Sequence, residues 1–378
     1  MTSVELVRVE AVAYRVPIEK PIKVAFGAFR DRPFVLVRVV DKSGAEGFGE
    51  AWCNWPSVGA EHRARLVVDL GERLIGRRFG SPTDLFDTLS RDLETLVLQT
   101  GEVGPIAQAV SGIDIAVNDL VARRQDLPLY RALGGAPVDS VPVYATGIDP
   151  DEPEQVAVEQ RLRGHRAFKL KTGFGHDLDV RNLRAMREAL GPGATIMTDA
   201  NQGLRPDAAL AFVRAIDGLD LAWLEEPLRV DAPAADWRTL ARASTTPLAG
   251  GENLRGGELD AACRDDVLRF IQPDATKWGG VSGTIRVARA AVAHGKAYCP
   301  HVFGGGVNAI ASLHLLAAAG GGGTLEYDWR PNPARECVVS DLLRVEDGRV
   351  AVPSAPGLGI APDLAALDRY RTWPQRPA

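Results

Sequence analysis

The 378-residue chain exceeds one ordinary domain and is 46% apolar, enough for a sizeable core, so one large domain with a smaller one appended is expected. Its formal net charge of −5, with acidic and basic residues interspersed, provides no basic stripe for nucleic acid and no polybasic segment for a membrane surface. No stretch approaches the ~18 consecutive apolar residues of a membrane span, and the start, MTSVELVRVE, lacks the regions of a signal peptide; a soluble cytoplasmic protein acting on small solutes is expected.

In chain order, residues 4 to 52 read as antiparallel strands. VELVRVEAVAYRV alternates, and FVLVRVVDKSGAEGFGEAW is two strands around a turn at Asp41-Lys42-Ser43-Gly44. Three helical patterns follow, at Glu61 to Leu74, Pro82 to Leu98 and Pro105 to Arg124, with apolar residues at three- and four-residue spacing. After GGAPVDS the texture becomes a repeated unit of short apolar strand, polar or Gly-bearing turn, and amphipathic helix. The strands are VPVYATG, AFKLKTG, TIMTDAN, LAWLEEP, PLAGGEN, FIQPDAT, AYCPHVF and GTLEYDW. Val180, Leu183, Met186 and Leu190 make one helical stripe between strands, and Leu210, Val213 and Ile216 another, closed by Gly218. Eight parallel strands with intervening helices predict an α/β fold, a TIM-type (β/α)8 barrel.

Nearly every strand carries an ionisable residue toward its C-terminal end. Lys171, Asp199, Glu225, Glu252, Asp274, His301 and Glu326 are separated by 28, 26, 27, 22, 27 and 25 residues. That is close to the roughly 30 residues of one βα unit, so the fold brings them to one rim, where such barrels hold their active sites. A solvated strand edge explains one Lys-Leu-Lys well, but not seven such positions in register. Asp199, Glu225 and Glu252 converge from consecutive strands with no nitrogen or sulfur ligand among them, and all-oxygen ligation selects a hard ion, Mg²⁺ with Mn²⁺ as a substitute. Alternation lets only one of Glu225 and Glu226 face inward, without saying which. Asp274 and His301, on adjacent strands, can pair so that the carboxylate fixes the tautomer and raises the basicity of the imidazole.

The set KLK, DAN, LEEP, GEN, PDATKWGG, PHVFGGG and LEYDW, in this order and spacing, resembles the mandelate racemase subgroup of the enolase superfamily. The resemblance covers almost the whole chain. It implies the modified (β/α)7β barrel over 133–349, an α+β capping domain over 1–132, and a C-terminal segment, 350–378, returning to the cap after APGLGI. It selects Glu225 as the metal ligand of its pair, makes Lys171 the base that removes a proton α to a carboxylate, and sets Lys169 near the substrate carboxylate. By the same resemblance Glu326 is a protonated acid that donates to the enolised carboxylate. A like charge on Lys169, with Mg²⁺ nearby, is expected to lower the Lys171 pKa toward neutrality.

With a Lys base facing a His base, enolate formation is the common step, a chemistry general to enolase-superfamily sites. Return of the proton makes a racemase; loss of a β-hydroxyl makes a dehydratase; expulsion of a ring oxygen makes a cycloisomerase. PHVFGGGVNAIASLHLLAA and EYDWRPNPARE look most like acid-sugar dehydratases and galactarolactone cycloisomerases, which implies a sugar acid or lactone. A muconate-lactonising type would carry a lysine where this chain has Asp274, and a catalytically silent metal-binding relative would not keep all the acid–base residues. Specificity is assigned to two cap loops, PIKVAFGAFRDRP and EAWCNWPS, where Arg30, Asp31, Arg32 and Asn54 lie beside Phe26, Trp52 and Trp55; Asn201, Arg30, Trp52 and Asn54 are the expected substrate contacts. A homo-oligomer taking a small-molecule carboxylate is the expected form. The four cysteines lack CxxC spacing and read as free thiols, with Cys299 a buried filler. The Gly runs at 304–306 and 320–323 lack GxGxxG spacing and read as loop hinges.

Overall fold

The computed structural model describes residues 3–24 and 27–374. β1 (Val4–Val24) and β2 (Gly27–Asp41) pair antiparallel, and β3 (Glu46–Glu50) pairs with β2, Leu36 opposite Glu50. Within PIKVAFGAFRDRP, expected as a loop, residues 21–24 and 27–33 instead continue both strands as an antiparallel arm in which Ile22 opposes Phe29. Phe26, assigned to this cap loop from the sequence, falls outside the described residues.

The helices that follow are α1 (Gly59–Glu72), α2 (Pro82–Asp92), α3 (Glu94–Thr100) and α4 (Val103–Arg124). The single helix expected over Pro82 to Leu98 is two, divided at Leu93. Leu85, Leu89 and Leu93 keep α2 on the core, whereas α3 buries no residue. β3 lies almost in contact with α4: a Cβ at Gly47 or Gly49 would stand 2.1 or 2.0 Å from the carbonyl oxygen of Ala116 or Gly112. Only glycine permits that approach, and it fixes where Glu50 emerges.

The second sheet carries eight parallel strands: β4 (Ser140–Ile148), β5 (Ala167–Lys171), β6 (Thr195–Asp199), β7 (Leu221–Glu225), β8 (Leu248–Gly250), β9 (Phe270–Ile271), β10 (Ala297–Tyr298) and β11 (Leu325–Asp328). Each from β4 to β9 pairs with the next, and β11 pairs with β4. Between them run α5 (Pro153–Leu162), α6 (His176–Leu190), α7 (Pro206–Ala215), α8 (Ala234–Ala243), α9 (Gly257–Arg264), α10 (Gly280–Ala293) and α11 (Gly306–Ala319). Among the described residues no ladder joins β10 to β11. Near the C-terminus β12 (Arg371–Trp373) pairs antiparallel with β1, Trp373 opposite Ala13.

Tyr144, Met197, Trp223 and Ala249, one from each of four strands, form a buried cluster with Cys299 just past β10, and the Lys169 ammonium lies 5.2 Å from the centre of the Tyr144 ring. This layer is the floor on which the charged rim stands. Among the described residues no helix is long and apolar enough to cross a membrane, and all four cysteines are free thiols.

Candidate active site

Strand alternation builds the rim from that floor. Two residues beyond Lys169, Met197, Trp223 and Cys299, on the same side of each chain, come Lys171, Asp199, Glu225 and His301. β8 breaks the register: two beyond Ala249 is Gly251, at φ +138°, where a Cβ would lie 2.7 Å from the Gln272 amide nitrogen, and Glu252 follows it. Asn201, Gln202 and Glu226 also hold left-handed φ values of +42°, +62° and +37°. Such conformations are uncommon for residues with a Cβ and cluster at functional sites.

The turn at Glu226 overrides the alternation expected of its pair. Glu225 and Glu226 are both buried, 2% and 4% exposed. Glu225 sits low, accepting from Lys169 Nζ at 2.8 Å on each oxygen, from Gln272 Nε2 at 2.7 Å and from Trp223 Nε1 at 3.1 Å. Glu226 instead lines the cavity above, accepting from Asn253 Nδ2 at 3.0 and 2.9 Å.

Lys169 belongs to the floor, not the cavity. It is wholly buried, and its ammonium lies 2.8 Å from Glu225 and 2.7 Å from Glu326; burial opposes its charge, but these carboxylates raise its pKa well above the ordinary lysine value. Two sequence expectations change in consequence. With its charge matched locally, Lys169 by itself does not bring Lys171 toward neutrality: burial and Lys169 push Lys171 down, but Asp199 at 2.5 Å, with Glu225, prevails and raises it. Glu326, expected as a neutral acid, is an anion here, because Lys169 and His301 overcome the effect of burial and hold its carboxyl below the ordinary range.

Across the cavity, His301 Nδ1 lies 2.9 Å from Asp274 Oδ2, the pair anticipated from their neighbouring strands. Asp274 is fixed in turn by the Thr276 backbone N–H at 2.8 Å and hydroxyl at 2.6 Å. His301 Nε2 meets Glu252 at 2.5 Å. Burial disfavours the imidazolium, but Glu252, Glu326 and Asp274 prevail and hold it protonated well above the usual histidine range.

Among the described residues no three His, Cys, Asp or Glu side chains are grouped closely enough to form a ready metal cage. Each of the three carboxylates instead has a cationic partner: Lys171 at Asp199, Lys169 at Glu225 and His301 at Glu252. The donor set nonetheless suits a hard divalent ion. Burial and the adjacent Asp199 and Glu326 charges, against the opposing pull of Lys169, push Glu225 up to about 7, and burial with Glu252 and Asp199 raises Glu226 well above the ordinary range. That crowding of oxygen donors is what a divalent cation relieves.

The rim surrounds a cavity of about 160 Å³. Lys171, Asn201, Glu226, Glu252, Lys277 and His301 form its polar side, and Phe29, Trp52, Trp55 and Phe303 its aromatic side, with Phe29 4.6 Å from Trp55 and 5.3 Å from Phe303 between ring centres. Of the substrate contacts expected from sequence, Asn201, Trp52 and Asn54 line the cavity. Arg30 does not: alternation along the antiparallel arm buries Phe29 and leaves Arg30 exposed. Sequence reasoning passed over Gln202, Asn253 and Lys277. Lys277 was legible three residues past Asp274 in PDATKWGG; its ammonium lies 2.5 Å from Asn253 Oδ1 and 4.9 Å from the centre of the Trp52 ring.

A parallel α/β array with acid–base residues converging at the C-terminal rim of its strands defines an enzyme. Comparison with known proteins agrees. Residues 6–134 match the mandelate racemase/muconate lactonizing enzyme N-terminal domain and residues 153–366 the enolase C-terminal domain-like family, so the chain belongs to the mandelate racemase/muconate lactonizing enzyme family of the enolase superfamily. It is 32% identical to the D-galactarolactone cycloisomerase of Agrobacterium fabrum (strain C58 / ATCC 33970) over 94% of this chain and 95% of that one. The crystal structure of a mandelate racemase/muconate lactonizing enzyme from Bordetella bronchiseptica RB50 superposes with a TM-score of 0.92 at 47% identity, over 97% of this chain and 99% of that one. An L-talarate/galactarate dehydratase variant liganded with Mg and L-glucarate superposes with a TM-score of 0.85 at 27% identity, over 98% and 93%. The chain is accordingly a lyase or isomerase of this superfamily.

Proposed function

We propose that the protein removes a proton α to the carboxylate of a sugar acid or sugar lactone and then eliminates the β-substituent, as an acid-sugar dehydratase or cycloisomerase. The observation that carries this reading is a lysine and a carboxylate-paired histidine lining one cavity beside clustered carboxylates. Asp199, Glu225 and Glu252 would hold one Mg²⁺, with Mn²⁺ as substitute. The ion would supply countercharge to the enolised carboxylate and to the Asp199 anion that otherwise keeps Lys171 protonated.

Lys171 accepts the α-proton, and Asn201, whose Oδ1 lies 3.0 Å from Lys171 Nζ, aims it. Lys169 balances Glu225 and Glu326 beneath the site. The His301 imidazolium gives its proton to the departing oxygen: loss of a β-hydroxyl as water completes a dehydration, and release of a ring oxygen, as a new carboxyl from a lactone or a new hydroxyl from a cyclic ether, completes a cycloisomerisation. Asp274 orients the ring. Trp52 and Asn54 contact the substrate, and the aromatic wall suits the C–H face of a sugar ring. The same wall favours one second reading, a racemase of an aryl 2-hydroxy acid, in which His301 returns the proton to the α-carbon.

The (β/α)7β closure, the division into 1–132, 133–349 and 350–378, a homo-oligomeric assembly and a cytoplasmic setting belong to the same proposal. A screen of mono- and diacid sugars, their lactones and mandelate, with Mg²⁺ present, tests it. Dehydration or ring opening of a sugar acid or lactone supports the reading, whereas racemisation of mandelate alone replaces it with the second.

A further inference from the structure

The loop bearing His301 is held from outside the parallel sheet. It leads into α11, whose first turn receives no hydrogen bond from the side chain of its own N-cap residue. Glu50, at the end of β3, supplies the acceptors: Oε1 takes the Gly305 N–H at 2.6 Å and Oε2 the Asn308 N–H at 2.8 Å. The fit is close enough that a Cβ on Gly304 would stand 2.5 Å from Glu50 Oε1 and one on Gly305 2.5 Å from the Phe34 ring. Glu50 is 2% exposed. Burial pushes its carboxyl up to about 7 against the pull of the Gly305 and Asn308 N–H groups, and the nearby Asp274 charge adds to the rise.

From α11 the contacts continue to the histidine. Asn308 Nδ2 lies 3.4 Å from each Asp274 oxygen, and the Ser312 hydroxyl, 3.2 Å from Asn308 Oδ1, steadies the amide. Asp274 then meets His301 Nδ1 at 2.9 Å. The path therefore runs from the first sheet, through one helix turn, to the imidazole.

We propose that Glu50 is a positioning residue for the Asp274–His301 pair, anchoring the first turn of α11 so that Asn308 faces Asp274 and the imidazole keeps its aim on the cavity. Glu50 does not line that cavity. The kinetic consequence rests on the proposed role of His301, but the structural one does not. Asp119 provides the contrast: it is fully buried, clasps the same strand through the Phe48 N–H at 2.9 Å, and accepts from the Leu358 N–H at 2.6 Å and Arg123 Nε at 2.9 Å, away from the rim.

The test uses full-length protein labelled with ¹⁵N-histidine, the His301 Nδ1–H resonance being assigned by its loss in His301→Asn. Glu50→Gln is expected to keep the fold and displace or broaden that resonance, while Asp119→Asn lowers the melting temperature and leaves it in place. On a substrate found in the screen, Glu50→Gln should lower kcat by about 10²-fold with KM little changed, the cost of a mispositioned acid–base group. Should Glu50→Gln fail to fold, Asn308→Ala, which keeps the backbone bonds to Glu50, should move the same resonance. An unmoved resonance in the folded Glu50 variant, or in Asn308→Ala, overturns the proposal; so does equal displacement by Asp119→Asn, which would make the role merely structural. If the wild type turns over none of the sugar acids, lactones or mandelate, the functional reading fails while the resonance comparison still decides this one.

Discussion

At the rim, neighbours rather than residue types set the charges. The Lys171 pKa is raised because Asp199, with Glu225, outweighs burial and Lys169, and Glu326 is held below the ordinary carboxyl range because Lys169, 2.7 Å away, and His301 outweigh burial. Replacing Asp274 with Asn removes the charge that steadies the imidazolium, and acid–base contributions of this kind are worth about 10² to 10⁴ in rate. Turnover should fall by that factor while Mg²⁺ affinity, read by calorimetric titration, stays nearly unchanged; a large loss of affinity would place Asp274 among the metal ligands. In the same titration Asp199→Asn, Glu225→Gln and Glu252→Gln should each lose Mg²⁺ binding, and retention of full affinity by any one removes it from the set. Sequence spacing sufficed to bring these residues to one rim, because βα repeats have a nearly constant length. It could not supply their charge states, which depend on contacts such as Lys169 with Glu326 across 157 positions, nor the inward turn of Glu226, which a φ of +37° creates against strand alternation.

The short parallel strands were legible from their apolar runs and Gly-bearing turns, and the helices between them from their stripes. The antiparallel arm was not, since Pro17, Pro21 and Pro33 read as loop punctuation although a strand tolerates proline where no ladder donor is required. The Gly run at 304–306 was legible as special but for the wrong reason. These residues are not hinges: none has a positive φ, and each sits where a side chain would collide, Gly306 with Val338 at 2.6 Å. Gly305→Ala should therefore lower the unfolding free energy by about 1 to 3 kcal/mol, the usual cost of overpacking a tight core, as measured by urea denaturation. An unchanged midpoint and slope would restore the hinge reading.

Across the whole molecule, the first sheet and its helices are joined to the parallel sheet by buried acids. Asp114 of α4 accepts from the Ser282 N–H at 2.8 Å and the Ser282 hydroxyl at 2.7 Å at the start of α10, as Glu50 does for α11. Burial pushes Asp114 up to about 7, against the lowering effect of the Ser282 bonds. A folded-state value above the unfolded one means that this group's contribution to stability is present at low pH, where the acid is neutral in both states, and is lost as pH rises from the ordinary carboxylate range toward about 7. Asp114→Asn has no such loss, so its stability deficit against wild type should be larger at pH 5 than at pH 8 in paired thermal melts; a deficit that grows with pH would contradict the assignment. The central claim is that Lys171 removes the α-proton and His301 protonates the departing oxygen, and proton exchange in D₂O tests it most directly. With a sugar acid or lactone that the wild type turns over, Lys171→Ala should lose both α-proton exchange and turnover, whereas His301→Asn should keep α-proton exchange and lose turnover. Exchange by Lys171→Ala at the wild-type rate would contradict the account.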